Sequence, residues 1–484
     1  MNIYLKNVGI VKESNIVIDG LTVITGKNNS GKTTVGKVLY SLIDAVANLK
    51  DKVAFDRRNY LNEQLEQVES ALEIFHMLFR PMFRREKDVM DTNSHIYSLF
   101  VERHRNPKED IESFAHCLYE ELQNFSMENI QLPEEADRYV RMFFREEIEH
   151  PEQLQEAIAK QINKALSILE FAFDNLQKDP ELIQYTKNCV QRSLMVEFSD
   201  QVQPIRAPEQ TSEIGLTSEG DICFSFEIDN NQIVNNGKRI YWGSPFKKVF
   251  FVDDPFAIDS FPYITNRRIR DTEYMGVETF FNANRVISHG DRLRRVLHSK
   301  VKPSILEVTI LEERLKNIRE KIDAILPGQF EFSSEGDYYV KDGAKLKISN
   351  LATGSKLFSI IKVLIDRGEL DDSTVLILDE PEAHLHPQWQ NAFAEIVVLL
   401  AKELGVKILL TTHSPNFMLA LDAYMRKYEF AEKTNFYQTV PVDDYYVEYR
   451  CVNDNMELIY GDFLRYLSDA KALRDSYMYG MGEI

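Results

Sequence analysis

No stretch of about eighteen apolar residues occurs in this 484-residue chain, so the sequence offers no membrane-spanning helix. Cysteine is scarce as well. Cys117, Cys189, Cys223 and Cys451 are scattered and no CxxC pair occurs, which argues against a disulfide frame or a thiolate metal site. Internal repeats and low-complexity segments are missing. The opening residues, "MNIYLKNVGIVKES", read directly as a strand and not as a signal peptide, so the expected location is cytoplasmic. Positive charge is in deficit: 57 Lys and Arg face 76 Asp and Glu, a net charge of −19. That balance argues against a protein that coats nucleic acid non-specifically, while leaving room for a local basic groove.

What is present is length enough for two or three domain cores. "IYLKNVG", "SNIVIDG" and "LTVITG" read as short strands joined by tight turns, and a helix follows from Gly31 to Leu49. From Lys50 to Arg192 apolar residues recur three and four apart, the mark of amphipathic helices. Heptads are not sustained, which favours a compact helical lobe over a coiled coil. Strand character returns at "LMVEF", "DICFSFEI" and "KKVFFVDD"; helices are expected between Glu278 and Leu326. A β/α alternation then runs through "TVLILDEP" and "VKILLTTHSP", and the tail reads as strands "YYVEYRCV" and "ELIYGD" before a last helix from Asp462. The expected division is 1–49 and 331–430 for the two lobes of an α/β head. A helical insertion at 50–193, returning strands at 194–255, a helical arm at 256–330 and a β/α tail at 431–484 complete it.

The stretch "TGKNNSGKTT" follows an apolar strand and precedes a helix, the context of a phosphate-binding loop. A triphosphate needs backbone N–H groups in a curved nest, which Gly26 and Gly31 permit. Asn28, Asn29, Ser30 and Thr34 complete the expected cradle. Lys32 is the cation for the β- and γ-phosphates, and the Thr33 hydroxyl is placed to ligate Mg²⁺. "VLILDEPEAHLHP" supplies the second half: a buried parallel strand ends in acids, where such sheets bind ligands. Asp379 is expected to hold the Mg²⁺ shell and Glu380 to polarise the attacking water as general base. "LLTTHSP" brings His413 toward the γ-phosphate; a core or capping histidine is the plain alternative. His384 and His386 form an HxH pair without a third ligand at a convincing spacing, so they are not read as a zinc site.

Taken in order, phosphate loop, "LILDEP" and "TTHSP" resemble the ABC-type ATPases. The resemblance implies an α/β fold, an ABC-type P-loop head with a mainly parallel sheet, an antiparallel β subdomain and a large helical insertion. It implies ATP and Mg²⁺ as cofactors. "NLATGSK" stands where that family has its signature, implying contacts from Thr353, Gly354 and Ser355 to the nucleotide of a second head in a dimer or higher oligomer. Ala352 replaces the usual signature serine, with Thr353 or Ser355 the candidates to supply a hydroxyl instead, so the expectation is either slow hydrolysis or ATP acting mainly as a clamp. Gln201 is the better of two weak candidates for the family's Q-loop. Within the family the chain is similar to the OLD and RecF-like group, and more narrowly to ATPase subunits of bacterial anti-phage defence systems (Septu PtuA, PARIS AriA). The resemblance is firm over 1–49 and 343–421 and architectural elsewhere. The seventy residues after His413 show no Toprim pattern, so the implied effector, an HNH or Toprim nuclease, is expected on another polypeptide.

Two functional classes therefore stand side by side: an ATP-driven sensor and scaffold controlling a separate effector, and a RecF-like ATPase acting on DNA. The stretch "NRVISHGDRLRRVLHSKVK" serves the second, or a phage-derived trigger, if it is not simply a solvated helix face. A transporter subunit fits poorly, because Lys32 and Gly354 lie too far apart in the chain. The Arg-x₅-His spacing from Arg292 to His298 matches some helical RNases, but basic helices produce it often.

Overall fold

A computed structural model of the protein describes residues 1–72, 99, 110–125, 151–178, 181–218, 221–234, 246–259, 288–299, 305–333 and 336–479. The chain forms two compact units. Met1–Asn48, Glu181–Thr265 and Val286–Ile484 make up one, Leu49–Pro180 and Asn266–Arg285 the other. The head unit opens with β1 (Asn2–Val8), β2 (Val11–Val17), β3 (Leu21–Thr25) and helix α1 (Lys32–Val46). The helical unit contains α2 (Leu49–Ala71), α3 (Ile111–Gln123) and α4 (Pro151–Gln177). Leu61, Leu65 and Val68 meet Phe114, Leu118 and Leu122 and Ile158, Ala165 and Leu169 in a core of their own. Their three-and-four spacing puts each set on one helix face.

The head resumes with α5 (Leu182–Phe198), β4 (Ser212–Ser218), β5 (Asp221–Asp229), β6 (Gln232–Ile233) and β7 (Lys248–Val252). Next come α6 (His289–His298), α7 (Ile305–Ile325), β8 (Gln329–Ser333), β9 (Gly336–Lys341) and β10 (Ala344–Lys347). The series α8 (Thr353–Asp366), β11 (Thr374–Asp379), α9 (Pro387–Glu403), β12 (Lys407–Thr412) and α10 (Pro415–Lys427) follows. β13 (Thr434–Pro441), β14 (Val447–Cys451) and α11 (Glu457–Tyr479) end the described chain.

Among the described residues an eleven-stranded sheet runs β6-β5-β4-β1-β2-β14-β13-β3-β12-β11-β7, and β10-β9-β8 form a separate meander. β13, β3, β12, β11 and β7 are mutually parallel, whereas β6, β5, β4, β1 and β2 are antiparallel. The molecule is thus an α/β head with a parallel half, an antiparallel half and a helical insertion. β3 and β12 are buried almost throughout, because helices cover both faces of the parallel half. Alternate residues of β11 supply opposite cores. Leu376 and Leu378 join α8, α9 and α10, while Val375 and Ile377 join α1 and α5. Gly36 lets α1 lie close to the sheet: a Cβ there would meet Ile377 at 3.1 Å and Phe251 at 3.2 Å.

Two expected strands are helical. "LMVEF" is the last turn of α5, where Thr186, Val190, Ser193, Leu194 and Glu197 are buried at helical spacing. "ELIYGD" is the first turn of α11; only Ile459 of its apolar residues is deeply buried, and Gly461 sits in open space, so no strand partner is served. Conversely β4, "SEIGLTS", and β13, "TNFYQTVP", are strands that their small and polar residues conceal. No helix among the described residues is long and apolar enough to cross a membrane.

Phe393 is fully buried, edge-on to Phe358 and stacked on Phe417. Phe393→Ala should cost about 3–5 kcal/mol. Denaturant titration followed by tryptophan fluorescence checks this through Trp389, which also packs on Phe358.

Candidate active site

The register of the parallel half brings four strand ends to one level. Thr412 pairs with Thr25, Asp379 with Thr411 and Leu378 with Val252. A cavity of about 580 Å³ opens at those ends, within the range of small-molecule sites. Asn28, Asn29, Ser30, Gly31, Lys32, Thr33 and Thr34 line it, together with Asp379, Glu380, His384 and Thr353.

The loop between β3 and α1 keeps its curvature through Gly31, which takes a left-handed φ of 76°. The Lys32 side chain is 4% exposed and folds back over the loop, donating to the carbonyls of Gly26 at 3.1 Å and Lys27 at 2.7 Å. Its ammonium also lies 3.2 Å from Glu380 Oε1. Thr33 donates its hydroxyl to Asp379 Oδ2 at 2.6 Å, and Thr411 donates to Asp379 Oδ1. Burial pushes the Asp379 pKa up against these hydrogen bonds, and the nearby charges of Glu380 and Asp253 push in the same direction. A buried carboxylate under that pressure, beside a threonine hydroxyl, fits Mg²⁺. Both donors are hard oxygens, and this ion completes its shell with phosphate and water.

Glu380 sits in a left-handed turn, φ 47°, and its backbone N–H donates to Thr411 Oγ1 at 3.0 Å. That strained turn throws its side chain between Lys32 and His413, whose Nδ1 lies 3.2 Å from the same Glu380 oxygen. Glu382 fixes the histidine loop from beneath. Only 2% exposed, it accepts from the Thr412 hydroxyl at 2.5 Å and from the His413 backbone N–H at 3.2 Å. Burial raises its pKa despite the Thr412 bond.

Not every expected residue lines the cavity. Gly26 lies behind the loop, where a Cβ would collide with Thr439. Gly354 packs against the segment after the acids, 3.1 Å from the His384 carbonyl and 3.3 Å from Trp389 if given a Cβ. The backbone of Ser355 accepts from Ser359, and Ala352 caps α8 without a side-chain bond. Thr353 borders the cavity of its own chain. Gln201 is an exposed turn residue outside the cavity lining. His386 caps α9, accepting from the Gln388 N–H at 3.3 Å.

The end of β7 also reaches the cavity. Asp253, Asp254 and Pro255 line the cavity, and "FFVDDP" carries the same signal as "LILDEP": an apolar strand ending in two acids and a proline. The tail contributes contacts that no local pattern announces. Tyr449 on β14 donates its hydroxyl to the Gly31 carbonyl at 2.5 Å, and Thr439 on β13 bonds Ser30 at 3.0 Å. Burial, and secondarily Asp379, keeps the Tyr449 phenol protonated.

A family model described as "AAA domain, putative AbiEii toxin, Type IV TA system" matches residues 115–420, more than half of the chain. The chain belongs to this family. A second model, "AAA ATPase domain", matches residues 1–216, which include the phosphate loop. An AAA-domain ATPase accounts for the cavity, with ATP as the ligand its loop is built for. No curated protein matches the sequence. Solved structures similar to this AAA-family chain include the SMC head domain from Thermotoga maritima. It is 11% identical, with 93% of this chain and 98% of that one covered and a TM-score of 0.34. A Pyrococcus furiosus Smc head with an extended coiled coil, bound to the C-terminal domain of ScpA, is 10% identical at a TM-score of 0.30, covering 96% and 98%.

Tyr449→Phe removes one hydrogen bond from the loop and leaves the ring in place. ATP affinity should fall roughly fivefold, the worth of about 1 kcal/mol. Fluorescent-nucleotide titration reads the loss, and the thermal midpoint should barely move.

Proposed function

We propose that the protein is an ATP-hydrolysing switch that controls a separate effector, a nuclease or toxin, in bacterial anti-phage defence. One observation carries the catalytic part: Lys32, Glu380 and His413 meet at a single point, while Thr33 and Asp379 meet beside it. In this reading Lys32 leaves its two backbone carbonyls for the β- and γ-phosphates when nucleotide enters. Thr33 and Asp379 would hold Mg²⁺, which would neutralise phosphate charge. Glu380, released from Lys32, orients and deprotonates the attacking water, and His413 holds Glu380 and the terminal phosphate in line. Asn28, Asn29, Ser30 and Thr34 supply the cradle.

The control of a partner is supported by the family description, which names a toxin and a toxin–antitoxin system, an arrangement of two components. A second copy of the chain, docked head to head, would bring Gly354 and Ser355 to the neighbouring nucleotide. With Ala352 in place of a capping hydroxyl, that composite site would turn over slowly. The competing DNA-binding reading loses its main support at α6. Arg292 pairs with Asp44, and Arg294 lies 3.6 Å from Asp254 and 3.5 Å from Asp291. His298 lies 3.2 Å from Asp337 and edge-on to Phe332, contacts that weigh against the RNase reading of this helix. Arg292 and Arg294 are thus engaged within the head. Arg285, Lys300 and Lys302 of that stretch, and "NRRIR" before it, fall outside the described residues.

Lys32→Ala should weaken ATP binding roughly ten- to a hundredfold, the worth of a charge-assisted contact. Glu380→Gln should keep binding and slow hydrolysis by about 10²–10⁴. Phosphate release and nucleotide titration measure the two effects, and unchanged turnover in both variants would sink this reading.

For the effector, affinity purification of the tagged chain expressed with its neighbouring reading frames should retain one of their products. Retention should change between the wild type and Glu380→Gln with ATP. A chain that retains none of them counts against effector control but leaves the ATPase untouched.

A further inference from the structure

His289 stands at the first position of α6 and is held by carboxylates on both ring nitrogens. Nδ1 lies 2.5 Å from Glu197 Oε2, and Nε2 lies 2.9 Å from Asp253 Oδ2. The His289 backbone N–H also donates to Glu197 Oε1 at 2.9 Å, so the acid at the end of α5 grips the residue twice. The ring stacks on Phe251 at 4.4 Å and meets Tyr40 edge-on at 5.8 Å. Glu197 is 5% exposed, so a buried acid is committed to this contact alone among its neighbours on α5. A neutral ring donates from one nitrogen only and accepts at the other, so carboxylates on both nitrogens call for the doubly protonated ring and not for a filler histidine.

We propose that His289 is a positioning residue for ATP hydrolysis: it fixes Asp253 at the edge of the phosphate cavity as an acceptor for water beside the terminal phosphate. The inference rests on the ATPase reading of the cavity. Asp253 follows β7 directly, and β7 pairs in register with β11, whose last residue is Asp379. The two acids therefore end adjacent parallel strands at the same level. Asp379 is fixed by Thr33 and Thr411; Asp253 has His289 for the same purpose. Burial would raise the Asp253 pKa, but the bond to His289 outweighs it and holds the carboxyl below its usual range. Burial likewise opposes charge on His289, yet the two carboxylates lift its pKa to about 9, so it is a cation at neutral pH. Glu197 sets the ring, the ring sets Asp253, and Asp253 faces the reaction. His289 itself stands outside the cavity lining.

The test is a double-mutant cycle with kcat and KM read separately. His289→Gln and Asp253→Asn should each lower kcat, by up to about a hundredfold where a misplaced group is the cause, with KM within about threefold of wild type. The double variant should be no slower than Asp253→Asn alone. Should His289→Gln lose its folded state in thermal unfolding, Asp253→Glu serves instead: the pair survives, the carboxylate shifts by one methylene, and kcat should still fall about tenfold. The inference is overturned if both Asp253 variants keep wild-type kcat, or if His289→Gln slows the Asp253→Asn enzyme by the same factor as the wild type. A wild-type protein that hydrolyses ATP in a Glu380-dependent way while giving either of those results overturns this inference alone. A wild-type protein with no turnover overturns it together with the ATPase reading.

Discussion

Four parallel strands, β3, β12, β11 and β7, reach the same edge of the sheet in register, and each delivers something different there. β3 gives the phosphate loop, β12 the histidine, β11 two acids and β7 two more. Slipping one strand by a residue would turn its apolar set to the wrong face, so the hydrophobic cores on both sides lock the register. Those same cores fix which side chains meet at the rim. The chemistry of the site is in this sense a consequence of core packing on both sides of one sheet.

Charge balance is the second constraint. Asp253, Asp379, Glu380 and Glu382 crowd one rim, answered by Lys32, His289 and His413. Burying acids together is costly unless each finds a cation or several donors. Lys32 is shared between Glu380 and two carbonyls, His289 is divided between Glu197 and Asp253, and Glu382 relies on a hydroxyl and one N–H. Asp379 has hydroxyl donors only, and its raised pKa marks the place where charge is still owed. A divalent cation would be best placed there, beside two hard oxygen donors.

Much of this could be read in the sequence because the motifs are local. A buried strand followed at once by "GKNNSGKTT", "DEP" or "THSP" announces both the element and the residues at its end. "FFVDDP" has the same grammar, an apolar strand running straight into two acids and a proline. The contacts from the tail were not legible. Tyr449 reaches Gly31 across 418 positions of chain, and Thr439 reaches Ser30 across 409, with nothing periodic to mark either. "LMVEF" misled because four apolar residues and a glutamate look like a short strand; only the upstream spacing from Thr186 reveals the helix. The buried Glu197 in that turn reads as a surface acid until His289, 92 positions later, is placed on it.

The helices that flank the helical unit in the chain both terminate at the cavity. α1 begins with Lys32 and Thr33 and ends at Val46, two residues before that unit starts. α5 starts just after it and ends with Glu197 and Phe198, the latter in the cavity wall. The two helices pack on each other, and Lys37 of α1 ties the ends together by donating to the Glu197 carbonyl at 2.7 Å. That bond satisfies a carbonyl left open at the end of α5. A rigid shift of α1 along its axis would carry Lys32 and Thr33 with it, and a shift of α5 would carry the Glu197–His289–Asp253 chain. Helices transmit such shifts with little loss because their internal hydrogen bonds resist compression. Within the head unit, α1 therefore carries the phosphate loop and α5 the acid behind Asp253, and their packing ties the two sides of the cavity together.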